Sequence, residues 1–450
     1  MRAYLTAALL GTTMLAAPTT AHAQALSAEE AAELRAELAA LKAKVDTLEA
    51  RLDGAIASPV PAPAPVAPAP TVTAKPATEI GWKGAPELKT ADGWSFKPRG
   101  RILVDAGHVS APSAISDRAL GFSNELRRVR LGVEGTIPGG FGYKLEADFA
   151  GGDAELTDAH LTYKDGPLKV TVGQHNNFQG LEELSSSNDT SFIERAAFTD
   201  AFGFERRVGV SGEVATGDVI VQGGVFTDNF GDLSDSGNSS VSLDGRLVFA
   251  PKLGDTQLHF GASAHWRDLG DTVTSVRYRQ RPLVHTADIR FISTPSIGAK
   301  SETGYGAEAA FISGRFHGAA EAFWQKVGRT GAADPTFFGG AVEAGVFLTD
   351  DTRGYRSGVF RGVKVKNPVG SGGLGAWQLN LRYDHLDLND AGIDGGKQHG
   401  YMASLIWTPI DYVRFMVNYA RLEYRDAVIA AGTDRDYGVD TFGMRAQIVF

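Results

Sequence analysis

From Trp94 to Phe450 apolar and polar residues alternate with a period of two, and this pattern limits the fold more than any other feature of the chain. In the stretch 437–450, Phe442, Met444, Ala446, Ile448 and Phe450 fall on one side, and Thr441, Gly443, Arg445 and Gln447 on the other. Val129, Leu131 and Val133 oppose Arg128, Arg130 and Glu134 in the same way. Trp377, Leu379, Leu381 and Tyr383 oppose Gln378, Asn380, Arg382 and Asp384. Successive side chains of a strand point to opposite faces, so each segment is a strand with one apolar and one polar face. A soluble sandwich alternates too, but two features favour a barrel that crosses a membrane. Aromatic residues end the apolar faces, as Trp266, Trp324, Trp377, Trp407 and Tyr163 do, like the girdles of a barrel at the two interfaces. Tight turns such as Pro138-Gly139-Gly140 and Ser313-Gly314-Arg315 alternate with longer polar loops near 109–123, 176–204, 228–240, 268–300, 328–336, 389–397 and 426–436.

The expected fold class is therefore all-β: a transmembrane antiparallel β-barrel of about 16 strands over residues 94–450. Residues 283–293 read as a strand but are placed within a long outer loop, and 350–373 is long where a short turn is due. A barrel of about 16 strands encloses a water-filled channel rather than a packed interior.

The first 93 residues divide differently. Met1 and Arg2, an apolar run from Leu5 to Ala17, and Ala21-His22-Ala23 predict a signal peptide over 1–23. The apolar run has about 13 residues, against about 20 for a membrane-spanning helix. Over 24–56, Leu34, Leu38, Leu41, Val45, Leu48 and Leu52 recur in alternating steps of four and three, the seam of a left-handed coiled coil. Ser27 with Glu30 forms a capping box. Residues 57–93 follow as a linker whose Pro/Ala run favours an extended polyproline spacer. A helix held off on such a spacer is expected to self-associate in the periplasm, with possible contact to the cell wall.

Composition removes other classes. The formal net charge is -9 and no basic domain stands out, so nucleic acid is not an expected partner. The chain has no cysteine, which excludes disulfides and thiol catalysis. No G-x-S-x-G, H-E-x-x-H or phosphate-binding glycine loop is present, so no catalytic residue, cofactor or metal is expected.

Several stretches resemble the phosphate/polyphosphate-selective porin O and P family. They are RRVRLGVEG at 127–135, YKLEADFAG at 143–151, VGQHNNFQGLEELSSSNDTSFIERA at 172–196, FLTDDTRGYRSGVF at 347–360 and GAWQLNLRYDHLDL at 375–388. The resemblance implies a homotrimer of sixteen-stranded barrels in the outer membrane, each narrowed by an inward-folded third loop. Phe450 resembles the aromatic end recognised by the assembly machinery.

Selectivity must then come from lumen charge. The alternation turns Arg99, Arg101, Arg128, Arg130, Lys144, Arg207, Arg414 and Arg445 inward as an anion pathway. Closing the barrel would join Arg414, Arg445, Arg99, Arg101, Arg128 and Arg130 into one basic wall. The third loop carries Glu182, Glu183, Asp189, Glu194 and Arg195 at the constriction, and Arg277, Arg279 and Arg281 form an outer funnel. One reading is a ladder of guanidinium groups for phosphate or other small anions, which they grip with forked hydrogen bonds. A second is a general diffusion porin of weak selectivity, with the basic wall facing an acidic loop. A third is a structural tether between outer membrane and cell wall.

Overall fold

The computed structural model describes residues 38–51, 78–233 and 239–450. The signal peptide (1–23), the flanks of the coiled-coil segment and the Pro/Ala run lie outside the described residues. The chain divides into two units, 1–73 and 74–450. In the first, residues 38–51 form a single helix. Leu38, Leu41, Val45 and Leu48 on it are 52–64% exposed, so its apolar seam is uncovered among the described residues.

The second unit is a closed antiparallel barrel. Its sixteen strands are β1 (Ser95–Ser110), β2 (Gly121–Ile137), β3 (Phe141–Asp148), β4 (Glu155–Asp165), β5 (Leu168–Asn176), β6 (Arg206–Thr216), β7 (Val219–Phe226) and β8 (Val241–Phe249), then β9 (Thr256–Asp268), β10 (Ser301–Ser313), β11 (Phe316–Gly328), β12 (Thr336–Phe347), β13 (Ala376–Asp390), β14 (Ile393–Ile410), β15 (Val413–Arg425) and β16 (Tyr437–Val449). Each pairs with the next, and β16 closes on β1 through a register running from Asp440↔Ser110 to Val449↔Arg101. Closure leaves no open edge strand among these sixteen, which a membrane requires because it offers no water to unpaired backbone groups. The apolar faces point out and stay uncovered, as at Leu131, Leu145, Val172, Leu243 and Leu381. The expected aromatics mark the ends of this face: Trp377 stacks on Trp407 at 5.5 Å, and Tyr163 meets Phe141 at 5.1 Å.

Three expectations are corrected. The outer loop expected at 389–397 is a two-residue turn, Ala391-Gly392, with φ of 50° and 78°. Two successive positive φ values match the twist of a hairpin, so β13 and β14 run on to meet there. Residues 79–89, expected in the linker, form a β-hairpin of Glu79–Lys83 with Ala85–Lys89, whose second strand joins β1 at Leu88↔Phe96 and Lys89↔Ser95. Alternation of Ile80, Trp82 and Leu88 with charged neighbours overrides the extended spacer here. The long segment 348–375 is no simple turn; it carries a small hairpin, Gly354–Arg356 with Val359–Arg361.

The lumen is not one open tube. The third loop, 177–205, and the loop 269–300 fold inward and build an apolar core against β11–β16 and β1. Phe192, Phe198, Leu283 and Phe291 from the loops pack there with Phe323, Leu386, Leu422 and Tyr424 from the wall. Residues 283–293 lie within this inward-folded loop. From the turn end, the 354–361 hairpin packs Val359 and Phe360 against Leu181 of the third loop and Ala310 and Ile312 of β10. Open space remains on the side of β1 to β7.

Candidate functional site: the passage

Polar residues on the inner faces of β1 to β7 and the third loop define two chambers. The outer, toward the loop end, encloses about 750 Å³; the inner, toward the turn end, about 310 Å³. Arg128, Arg130, Glu183, Ser187, Arg195 and Arg206 line both, and they form the eyelet.

The basic side of the eyelet comes from β2. At Leu103/Val104 the β1–β2 register slips: Leu103 faces Arg128 and Val104 faces Leu126. Arg127 is the extra residue of this bulge, and a bulge can re-aim a side chain. Arg127 and Arg128, which strict alternation would send to opposite faces, both serve the lumen. Arg127 donates from Nε and Nη2 to the two oxygens of Glu194 at 3.0 and 3.2 Å. Arg130 reaches Asp148 at 2.7 Å and Glu146 at 3.2 Å. Arg206, at the start of β6, pairs with Asp158 at 3.1 Å. Arg128 has no carboxylate within ion-pair distance among the described residues.

The acidic side is neutralised by its own contacts. Glu183 lies 3.4 Å from Arg195, whose guanidinium also donates to the carbonyls of Glu182, Glu183 and Ser185. Glu182 is taken by Arg382 and by the amide of Ala196. Arg127 beside Glu194 holds that carboxyl well below the usual range, against the cost of burial. Asp189 is not at the eyelet: it borders a side chamber of about 120 Å³ at the turn end, with Arg353, Arg361 and Arg414. The acidic loop that was to face a basic wall therefore presents little free negative charge.

Of the expected anion pathway, Arg99, Arg101, Arg128, Arg130 and Lys144 line the inner chamber. Arg99 pairs with Glu134, Arg101 with Glu146 at 3.0 Å, and Lys144 with Asp158 at 2.7 Å. Arg207, Arg414 and Arg445 do not line either chamber. Arg207 is buried within electrostatic reach of Arg267, Glu205 and Asp244. Arg414 donates to the carbonyls of Asn188 and Thr190 at 2.9 and 2.6 Å, holding the third loop. The Arg445 side chain is 0% exposed and binds both oxygens of Asp105 at 2.7 Å. The third loop lies across the expected basic wall and covers these two arginines. Of the expected outer funnel, Arg281 lines the outer chamber. Arg277 donates to Ser293 at 3.0 Å, while Arg279 is exposed in a short strand pair beside it.

Three contributors escaped the alternation: Arg127, Arg206 and Arg361. The sequence held one signal for Arg127, since a lipid-facing arginine costs about 2–4 kcal/mol at mid-membrane. The signal for Arg361 was the long segment at 350–373.

The two chambers differ in charge. The outer has six cations, Arg127, Arg128, Arg130, Arg195, Arg206 and Arg281, and six acids, Asp153, Glu155, Glu183, Glu194, Asp200 and Glu205. The inner adds Arg99, Arg101, Lys144, Lys169 and Arg361 to the four eyelet arginines, against only Asp158, Glu183 and Glu213. Lys169 and Arg361, like Arg128, have no carboxylate within ion-pair distance among the described residues. Glu134, Glu146 and Asp148 offset Arg99, Arg101 and Arg130 from behind this lining, so a chain with formal charge -9 builds an inner chamber whose positive excess rests on Arg128, Lys169 and Arg361. Among the described residues no group of His, Asp and Glu is arranged to hold a metal, and no helix is long and apolar enough to cross a membrane.

Comparison with known proteins places this architecture. An uncharacterized protein of Caulobacter vibrioides is 51% identical over 389 residues, covering 84% of this chain and 79% of its own. The fold is similar to the anion-selective porin from Comamonas acidovorans, with a TM-score of 0.51 at 13% identity over 79% of this chain and 100% of that one. It is also similar to the outer-membrane expressed OmpT of Vibrio cholerae, with a TM-score of 0.50 at 11% identity over 80% of this chain and 99% of that one. The family model for phosphate-selective porin O and P matches residues 96–450, and the chain belongs to this family of outer-membrane channel proteins.

Proposed function

We propose that this outer-membrane channel passes small anions in preference to cations, with phosphate-like oxyanions as the solutes its inner chamber suits best. The observation that carries the reading is the inner chamber, where Arg128, Lys169 and Arg361 have no carboxylate within ion-pair distance among the described residues. Unpaired guanidinium groups remain charged and offer forked donors to an oxyanion. Spread along a passage, they give several moderate sites, from which an ion can still depart. The loops then face outward and the turns the periplasm, as in other barrels of this kind. The test is the reversal potential of single channels in a planar bilayer under a salt gradient, repeated with phosphate added. A potential on the chloride side with block by dilute phosphate supports the reading. A potential near zero without block leaves a general diffusion porin.

That second reading has one observation in its favour, the balanced charge of the outer chamber. It predicts weak selectivity, set at the eyelet alone.

Self-association belongs to the same proposal. The open seam of helix 38–51 supports a coiled coil between copies, placed in the periplasm and free to touch the cell wall. A homotrimer is the expected assembly. Chemical cross-linking of the intact protein, with and without residues 27–54, separates assembly by the barrel from assembly by the helix.

A further inference from the structure

The hairpin at 79–89 is a fragment of wall. Its second strand pairs with β1 on the edge that β16 uses higher up: β16 ends at Val449↔Arg101, and the hairpin takes over at Leu88↔Phe96. Its turn tucks beneath the ends of β15 and β16. A Cβ placed on Gly84 would lie 2.9 Å from Cε1 of Tyr412 and 3.0 Å from Cα of Phe450, and the φ of Gly84 is +80°. Only glycine fits there without strain.

The hairpin is amphipathic across the sheet. Paired residues of an antiparallel ladder share a face. Ile80 pairs with Leu88, which pairs with the outward-facing Phe96; Trp82 pairs with Pro86 on the same face. The opposite face carries Lys83, Glu87 and Lys89, with Glu87 3.3 Å from Lys83 and 3.1 Å from Lys89. Ile80 and Trp82 are each 73% exposed. They stand level with the turn-end aromatic residues of the barrel, continuous with the apolar belt through Phe96, whose strand neighbour Ser95 accepts a hydrogen bond from Tyr143 Oη at 3.3 Å.

We propose that this hairpin is a lipid-docking element. Its apolar face, Ile80, Trp82, Pro86 and Leu88, seats in the leaflet at the turn end of the barrel, and its charged face stays in water. The occupant is lipid rather than protein because the face continues the lipid-facing belt at the same height. A tryptophan at its end is the residue type that prefers the boundary between acyl chains and headgroups.

The chain has no cysteine, so single labelled positions report cleanly. Full-length Ile80→Cys, Trp82→Cys, Lys83→Cys and Phe415→Cys proteins, each carrying an environment-sensitive fluorophore, are reconstituted in phosphatidylethanolamine/phosphatidylglycerol vesicles with or without brominated acyl chains. Shifted mobility of each unheated protein in detergent gels shows that its barrel is folded. The expected result is loss of fluorescence to brominated chains at 80 and 82, as strong as at 415 in the belt, and quenching by aqueous iodide only at 83. Iodide quenching at 80 and 82 equal to that at 83, without lipid quenching, overturns the proposal. So does cross-linking between copies through residue 82, which assigns the face to a second copy.

Discussion

Arg127 and Glu194 meet through two parallel hydrogen bonds, 3.0 and 3.2 Å long, so a bulge in the barrel wall pins the third loop across the lumen. Arg445 joins the same carboxylate at 3.2 Å while held by Asp105. Glu194 is thus a node between the loop and two strands. Glu194→Gln removes the charge and keeps the shape. Hydrogen bonds to charged groups contribute about 1.5–3 kcal/mol each, so the loop should fluctuate more. The expected outcome is larger open-channel current noise with a folded barrel, and stronger anion selectivity because Arg127, which lines the outer chamber, loses the carboxylate it is paired with. Single-channel recording at low salt checks both.

Arg128 and Arg130 are two residues apart on one strand but should respond in opposite ways. Arg128 has no carboxylate within ion-pair distance among the described residues, so Arg128→Ala should change stability by no more than about 0.5 kcal/mol and yet lower anion selectivity. Arg128→Glu should move the reversal potential toward the cation side. Arg130 bridges Glu146 and Asp148. Arg130→Ala leaves Asp148 without its ion-pair partner, while Glu146 keeps Arg101, at a cost of about 3–5 kcal/mol. Urea unfolding beside reversal potentials for the two variants separates the roles.

The contrast shows what the sequence could and could not disclose. Strand number, closure and the aromatic ends were legible because each wall residue answers to a local choice between lipid and lumen. Arg127 was not, because a bulge is a property of two strands in register. The inward third loop was legible only through the family resemblance and the inward fold of 269–300 was not, because Leu386, Leu388, Leu422 and Tyr424 turn apolar side chains into the lumen only where a loop comes to cover them. Arg414 and Arg445 read as pathway residues for the same reason: alternation reports that they face inward, but nothing local reports that the third loop lies on top. The hairpin at 79–89 was hidden by its neighbours, five-residue strands directly after a Pro/Ala run.

Arg353 and Arg361 flank the small hairpin that enters from the turn end, and they too divide between structure and passage. Arg353 donates to Ser191 Oγ at 2.5 Å and to the Asp189 carbonyl at 2.9 Å, and its guanidinium lies 4.1 Å over the Phe360 ring. Arg353→Ala should detach the hairpin from the third loop and destabilise the barrel by about 3–5 kcal/mol, as loss of one partner of a buried ion pair does. Its partner Glu343, 3.4 Å away, keeps Arg382 and the Ser191 hydroxyl. Arg361→Ala removes a cation of the inner chamber that has no such bonds. It should leave unfolding unchanged and reduce conductance most at low salt, where steering by fixed charge is strongest. Conductance measured across a range of salt concentrations checks the difference.

Protons should tune the selectivity through Asp189. Burial pushes its carboxyl above the usual range, even against the pull of Arg414, Arg353 and Arg361. An ordinary aspartate titrates near pH 4, so as pH falls Asp189 takes up its proton before an ordinary aspartate does. Because its folded pKa is raised, ionisation of Asp189 costs stability above its unfolded pKa, and the barrel regains that stability as the group protonates. Glu194 has the opposite sign: its lowered pKa keeps the third loop pinned until pH drops below the ordinary carboxylate range. As pH falls toward the ordinary carboxylate range, then, the loop stays in place while the side chamber that shares Arg361 with the inner chamber loses a negative charge. Anion selectivity should rise over that interval. Asp189→Asn should show the low-pH selectivity already at neutral pH and flatten the profile; an unchanged profile would remove Asp189 as its source.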